Sequence, residues 1–297
     1  SDISTVKKWL IEKANIFKDK ILDEKIDIGF LFHNFIPASS SAFAYANPNS
    51  RKVLIEALWG LPEGLYYNSH DKYVIDTKAI HENKDLDNYT IESKKSYKKY
   101  FVRSNEDGVW NTEELKAPFD WKLTIPENSK WLKEIALFSK MIALKVNKPL
   151  SIMWFIDVPK EISPNQILPW HHEEFNFELV SMSKKSRKKT TFDKSFIINT
   201  LSQLLNLEKE IEENTFKIKR IHIQPMEDKL LRDKEIIEKI AYLAKKSNAI
   251  ILLEGSILSH AFYQLAKTGA QVEIYHPFDE FEDKQEFNKL VRDKIPE

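Results

Sequence analysis

AFAYANPNSRKVLIEALWGLPEGLYYNSHDKYVID, residues 42–76, is the stretch whose reading decides the fold of the first half of this chain. Two β-rich apolar runs, Ala42–Ala46 and Val53–Leu58, flank Asn47-Pro48-Asn49-Ser50, a cluster of turn formers. Gly60–Gly64 reads as a turn, and Lys72–Asp76 as another short strand. On the plainest reading, 42–76 is an antiparallel sheet with Glu56 in solvent.

Working outward, residues 3–22 predict an amphipathic helix with Val6, Trp9, Leu10, Phe17, Ile21 and Leu22 on one face. Asp27–Phe35 is a mostly apolar run, a candidate buried strand. Residues 80–127 are polar and irregular, with one strand candidate at Tyr97–Arg103. Asn128 or Ser129 is placed to cap a helix running to about Val146, with Trp131, Ile135, Phe138, Ile142 and Leu144 apolar. Leu150–Ile156 is a strand by its aromatic and β-branched content.

Residues 181–192, SMSKKSRKKTTF, read as a linker. No aromatic residue interleaves among the charges, so a solvated linker is favoured over a nucleic-acid contact. Beyond it the pattern alternates. A helix at about 193–212 precedes a strand at 217–223, a helix at about 229–246 and a strand at 249–253. A helix after His260 and a strand at 271–275 complete the series. Such alternation predicts a compact α/β domain with a largely parallel sheet.

The chain has 297 residues, a length that suits two domains or one large one, with 45 basic and 45 acidic side chains. A balanced charge gives no case for nucleic acid or an anionic membrane as partner. No cysteine is present, which excludes disulfides, thiolate metal sites and a cysteine nucleophile. The longest apolar runs are too short to span a bilayer, and Ser1-Asp2-Ile3 carries no signal-peptide pattern. These features predict a soluble cytoplasmic protein, and the opening serine suggests an excised fragment. The oligomeric state stays open, a homo-oligomer included.

The 42–76 stretch resembles the nucleotide-binding ATP-grasp domain of the PEP synthase and pyruvate phosphate dikinase family. The matching residues are Ser41, Ala42, Phe43, Asn47-Pro48, Ile55-Glu56-Ala57, Trp59-Gly60-Leu61, Glu63, Asp71 and Tyr73. The resemblance implies an ATP-grasp-like lobe over residues 1–180 with a mixed or antiparallel sheet. It also implies ATP and Mg²⁺ as cofactors, with Glu56 and Glu63 on the nucleotide. There are departures. Met153 stands where the family has a metal-binding glutamate, and Ser151 where it has an aspartate. A thioether does not replace a hard oxygen ligand for Mg²⁺. The family's QARPE region is replaced by Leu168-Pro-Trp-His-His-Glu173, and its first lobe has no counterpart before residue 28. The His171-His172-Glu173-Glu174 run invites a metal reading, but neighbouring histidines on a strand point to opposite faces. No metal ligand is assigned.

Ile250-Ile-Leu-Leu-Glu-Gly-Ser-Ile-Leu-Ser-His-Ala261 resembles the swivelling phosphohistidine domain of the same family, with Gly255, Ser259, His260, Ala261 and Gly269 in register. This implies a compact α/β swivel domain over 193–284, with His260 as a catalytic carrier and Ser259 beside it. A neutral imidazole is nucleophilic, and its basicity near pH 7 permits transfer in both directions. A strand-to-helix turn would set the phosphate near free backbone N–H groups. Ser259 could cap the helix or donate to the phosphate. The plain alternative is a helix-starting histidine without chemistry. His222 and His276 receive no role.

The last nine residues, Lys289-Leu-Val-Arg-Asp-Lys-Ile-Pro-Glu297, resemble the opening helix of MazG-like and phosphoribosyl-ATP pyrophosphohydrolase-like enzymes. That resemblance implies that 285–297 begins a third domain. Two functions are expected. One is a PEP-synthase-like phosphotransferase in which ATP phosphorylates His260 for an unidentified acceptor. The other is a non-catalytic nucleotide-binding or regulatory scaffold for a C-terminal pyrophosphohydrolase.

Overall fold

A computed structural model describes residues 3–23, 35–78, 91–104, 110–175, 195–213, 218–223, 228–231 and 233–274. The 181–192 linker, the 285–297 segment, His276 and all but the last residue of the Asp27–Phe35 run lie outside the described residues.

Residues 1–36 and 37–297 form two compact units. In the first, helix α1 spans Ile3–Asp23; Val6 and Leu10 are half-buried, whereas Trp9 is exposed. In the second, strands β1 (Ser40–Ala46), β2 (Lys52–Trp59), β3 (Asp71–Asp76), β4 (Ile91–Lys94), β7 (Leu150–Ile156) and β8 (Ile167–Glu174) build a six-stranded sheet in the order β4-β3-β2-β1-β7-β8. Every pairing in it is antiparallel. β5 (Tyr100–Ser104) and β6 (Trp110–Glu114) form a separate hairpin.

The side-chain period of two sorts this sheet into two faces. Ala42, Ala44, Val53, Ile55, Ala57, Tyr73, Ile75, Ile152 and Trp154 turn to one face, where helix α2 (Lys130–Val146) brings Leu132, Ile135, Ala136 and Ala143 into the same core. Ser129 caps α2, its hydroxyl accepting from the Trp131 N–H at 3.2 Å. Asn147 ends the helix in the left-handed region at φ 58°, a conformation asparagine tolerates. The Asn47–Ser50 turn is closed by the Ser50 N–H to the Asn47 carbonyl. Lys140 from α2 donates to the Asn47, Pro48 and Ser50 carbonyls at 2.8, 2.7 and 2.7 Å. One ammonium therefore ties the hairpin to the helix.

Gly60 joins the sheet to the β5–β6 hairpin. Its φ is +75°, and an added Cβ would lie 2.2 Å from the Val102 carbonyl oxygen. Only glycine combines that backbone with that approach. The Leu61 N–H then donates to the same carbonyl at 2.7 Å. A buried ion pair adds a second tie: Lys98 Nζ lies 2.9 Å from Asp71 Oδ1, with both side chains fully enclosed. The other Asp71 oxygen accepts from the Thr124 N–H and hydroxyl, both at 2.8 Å.

After the linker, β9 (Ser195–Ile198), β10 (Arg220–Ile223), β11 (Ile250–Leu253) and β12 (Val272–Ile274) form a parallel sheet in sequential order. Helices α3 (Leu201–Glu212), α4 (Lys234–Ser247) and α5 (His260–Lys267) connect them. Ile198, Ile221, Ile223, Ile251, Leu253 and Val272 are buried, as are Leu204, Leu207, Ile237, Ile240, Phe262 and Leu265 on the helices. The expected helix at 193–212 is corrected here. Its first residues form β9, and the helix starts only after Thr200, which makes a capping box with Gln203. The 80–127 region is also more regular than its polarity suggests, with three short strands among its described residues. Among the described residues, no helix is long and apolar enough to cross a membrane.

Candidate functional site

The face of the antiparallel sheet turned away from α2 carries a polar row. Reading across β3, β2, β1, β7 and β8, the register aligns Lys72, Glu56, Phe43, Met153 and His171. Two residues along, the same register aligns Tyr45, Ser151 and Glu173. His172 pairs with Ile152 on the opposite face, so the two adjacent histidines are split by the pleat.

Segment 254–260, the strand-to-helix connection of the parallel sheet, lies on this face. The Ser256 N–H donates to the Leu65 carbonyl at 2.7 Å. The Ser256 hydroxyl donates to Glu56 Oε2, and the Leu258 N–H approaches that oxygen at 3.4 Å. Ser151 donates its hydroxyl to the Leu258 carbonyl at 2.9 Å. Ser69 donates to Glu254 at 2.7 Å.

Glu56 is therefore not solvated, as the plain sheet reading has it. It is fully buried, 2.9 Å from Lys72 Nζ and 3.4 Å from His70 Nε2. Burial alone would raise its pKa. The Lys72 charge, His70 and the Ser256 hydroxyl overcome that and hold it well below the ordinary carboxylate range. Its oxygens face Lys72, His70 and Ser256. Glu63, the second residue assigned to nucleotide, sits half-buried in the 3-10 turn Pro62–Tyr66, and it does not line the cavity described next.

A cavity of about 250 Å³ opens beside the joint, lined by Phe43, Tyr66, Ser151, Met153, His171, Glu173 and His260. The Phe43 and Tyr66 rings lie nearly parallel, 16° apart with centroids at 6.1 Å, and form an apolar wall. Glu173, His171 and His260 supply the polar side. His260 is the first residue of α5. Its side chain is 48 % exposed, and its Nδ1 lies 3.0 Å from Glu173 Oε2. Ser259 takes the capping role rather than a place in the cavity. It is fully buried, accepts from the Phe262 N–H at 3.2 Å and donates to the Ser256 carbonyl at 2.8 Å.

The structure thus brings His260 to the row that holds Glu56 and Met153, but it places Glu56 under the joint and Ser259 inside the helix cap. Glu173 is the residue that sequence reasoning missed. It was visible only as part of a His-Glu run, and nothing local linked it to a histidine 87 positions away.

Among the described residues, no group of three histidine, aspartate or glutamate side chains converges to hold a metal. The donors that the resemblance requires for Mg²⁺ do not fit a resident ion here. Met153 offers sulfur, and Glu56 is already engaged by Lys72 and Ser256. No family model matches the sequence, and no curated protein matches it.

Proposed function

We propose that His260 is a phosphoryl carrier, so that the chain works as a PEP-synthase-like phosphotransferase with ATP as the donor. The observation that carries this reading is the 3.0 Å contact between His260 Nδ1 and Glu173 Oε2. A carboxylate beside Nδ1 keeps the ring proton there and leaves the lone pair on Nε2, the nitrogen able to attack phosphorus. Half of the side chain is open to an incoming group. Mg²⁺ would arrive on the nucleotide rather than at a protein site, neutralising the phosphates as it does in other phosphoryl transfers. On this reading the antiparallel sheet is an ATP-grasp-like lobe and residues 193–284 are a phosphohistidine domain.

The test is incubation with γ-labelled ATP and Mg²⁺. An acid-labile, base-stable label on the wild type, absent from His260→Ala, is the expected result. No label, or a label unchanged in His260→Ala, overturns the reading.

A second reading is favoured by Met153 in the sheet row and by the enclosed Glu56. The module would then be a non-catalytic nucleotide-binding or regulatory scaffold for a pyrophosphohydrolase beginning near Lys289. It predicts thermal stabilisation by a nucleotide without turnover. A longer chain would cleave a nucleoside triphosphate to monophosphate and pyrophosphate.

A further inference from the structure

The joint between the two sheets bears on how a carrier histidine could work. Segment 254–260 is held by groups from several separate places: Glu56 on β2, Ser151 on β7, Leu65 in the 3-10 turn and Ser69 after it. Glu56, Ser151, Ser69 and Ser256 are all buried. At Gly255 the two backbones touch, since an added Cβ would lie 2.0 Å from the Tyr66 carbonyl oxygen. These contacts enclose the Glu56 carboxylate, which accepts from Ser256 across the joint.

We propose that the histidine unit does not swivel, and that His260 is loaded and unloaded in place over the antiparallel sheet. Donor and acceptor reach it in turn through the cavity beside Met153, His171 and Glu173. This rests on the carrier reading above. In loading, the Nε2 lone pair attacks the terminal phosphorus of the donor. The N–P bond forms, the P–O bond breaks, and the leaving oxygen departs with the electron pair. The Nδ1 proton stays on the ring, and Glu173 balances the positive charge. In unloading, an acceptor hydroxyl oxygen attacks the phosphorus. The N–P bond breaks, its electron pair returns to Nε2, and the hydroxyl proton passes to His171.

The cavity also sets the class of acceptor. A cavity of about 150 Å³ admits benzene, roughly 25 Å³ per non-hydrogen atom, so about 250 Å³ admits roughly ten. A diffusible small molecule fits, with an apolar part against Phe43 and Tyr66 and a hydroxyl directed to His260. A nucleotide donor needs only to bring its terminal phosphoryl group to the half-exposed ring.

The chain has no cysteine, so Ser69→Cys with Glu254→Cys creates one pair of thiols across the joint. A short bifunctional thiol reagent would bridge them. The bridged and unbridged proteins are then treated with γ-labelled ATP and Mg²⁺ and, separately, with phosphoramidate as a small donor. ADP is added as a chase. Both forms are expected to take the label equally and to lose it to ADP equally. If only the unbridged form is labelled or discharged, the histidine must move and the inference falls. If neither form is labelled by either donor, the carrier reading itself falls. If the thiols lie too far apart to be bridged, the closed joint is contradicted directly.

Discussion

Replacing Glu56 by glutamine tests the joint most sharply. The substitution keeps the shape of the side chain and removes its charge. It leaves Lys72, 2.9 Å away, and His70, 3.4 Å away and fully enclosed, facing a neutral group. Breaking a buried ion pair from one side costs about 3–5 kcal/mol. Lys72 is 24 % exposed and can recover some hydration, so about 3 kcal/mol is the expected loss. For a unit of this size each kcal/mol lowers Tm by about 2–4 °C, a drop of roughly 6–12 °C. The assay is thermal unfolding followed by circular dichroism between pH 3 and pH 8. The folded state holds the Glu56 pKa below its ordinary value of 4.5, so the unfolded chain takes up a proton first as pH falls. The stabilisation is therefore full above about pH 4.5 and is lost below it. The gap between wild type and Glu56→Gln should be constant from pH 6 to 8 and shrink toward pH 3. A double-mutant cycle with Ser256→Ala should show coupling of about 1 kcal/mol or more. A loss under about 1 kcal/mol at pH 7, outside the range for a broken buried pair, would refute the reasoning, as would additivity with Ser256→Ala.

Other substitutions probe the same frame. Gly255→Ala drives a methyl group into the Tyr66 carbonyl and should cost about 2 kcal/mol, read by urea unfolding as a lower midpoint with an unchanged slope. Lys140→Ala leaves three turn carbonyls without their ammonium; water recovers part of the loss, so about 2 kcal/mol is expected, with faster amide exchange at Ser50. Glu254 has its pKa raised, chiefly by burial, so its ionised form opposes folding once pH passes the ordinary carboxylate value. Glu254→Gln should therefore raise Tm at pH 7 and change little at pH 4, as measured by calorimetry.

Much of this architecture is legible in the residues. Ala42–Ala46 and Val53–Leu58 are legible as apolar strand runs around the Asn47–Ser50 turn, and they pair antiparallel as β1 and β2. Ser129 and Val146 mark the ends of α2 to within a residue. The β9 strand escapes detection because Ser195–Ile198 is four residues long and runs directly into a helix signal. The Tyr97–Arg103 candidate overlaps β5, whereas β4 and β6 escape because their side chains are mostly exposed, with no apolar period to read. At the site, the strand-to-helix turn and the cap at Ser259 are local and could be read. Burial of Glu56 and pairing of His260 with Glu173 depend on two sheets folding together, and no local pattern carries that information.

The central claim is that Glu173 makes Nε2 of His260 the phosphoryl-bearing atom. Phosphorus NMR of the protein after labelling distinguishes the two phosphohistidine isomers. The account predicts the Nε2 isomer alone in wild type and a large loss of label in Glu173→Gln. A Nδ1 isomer, or full labelling of Glu173→Gln, would contradict it.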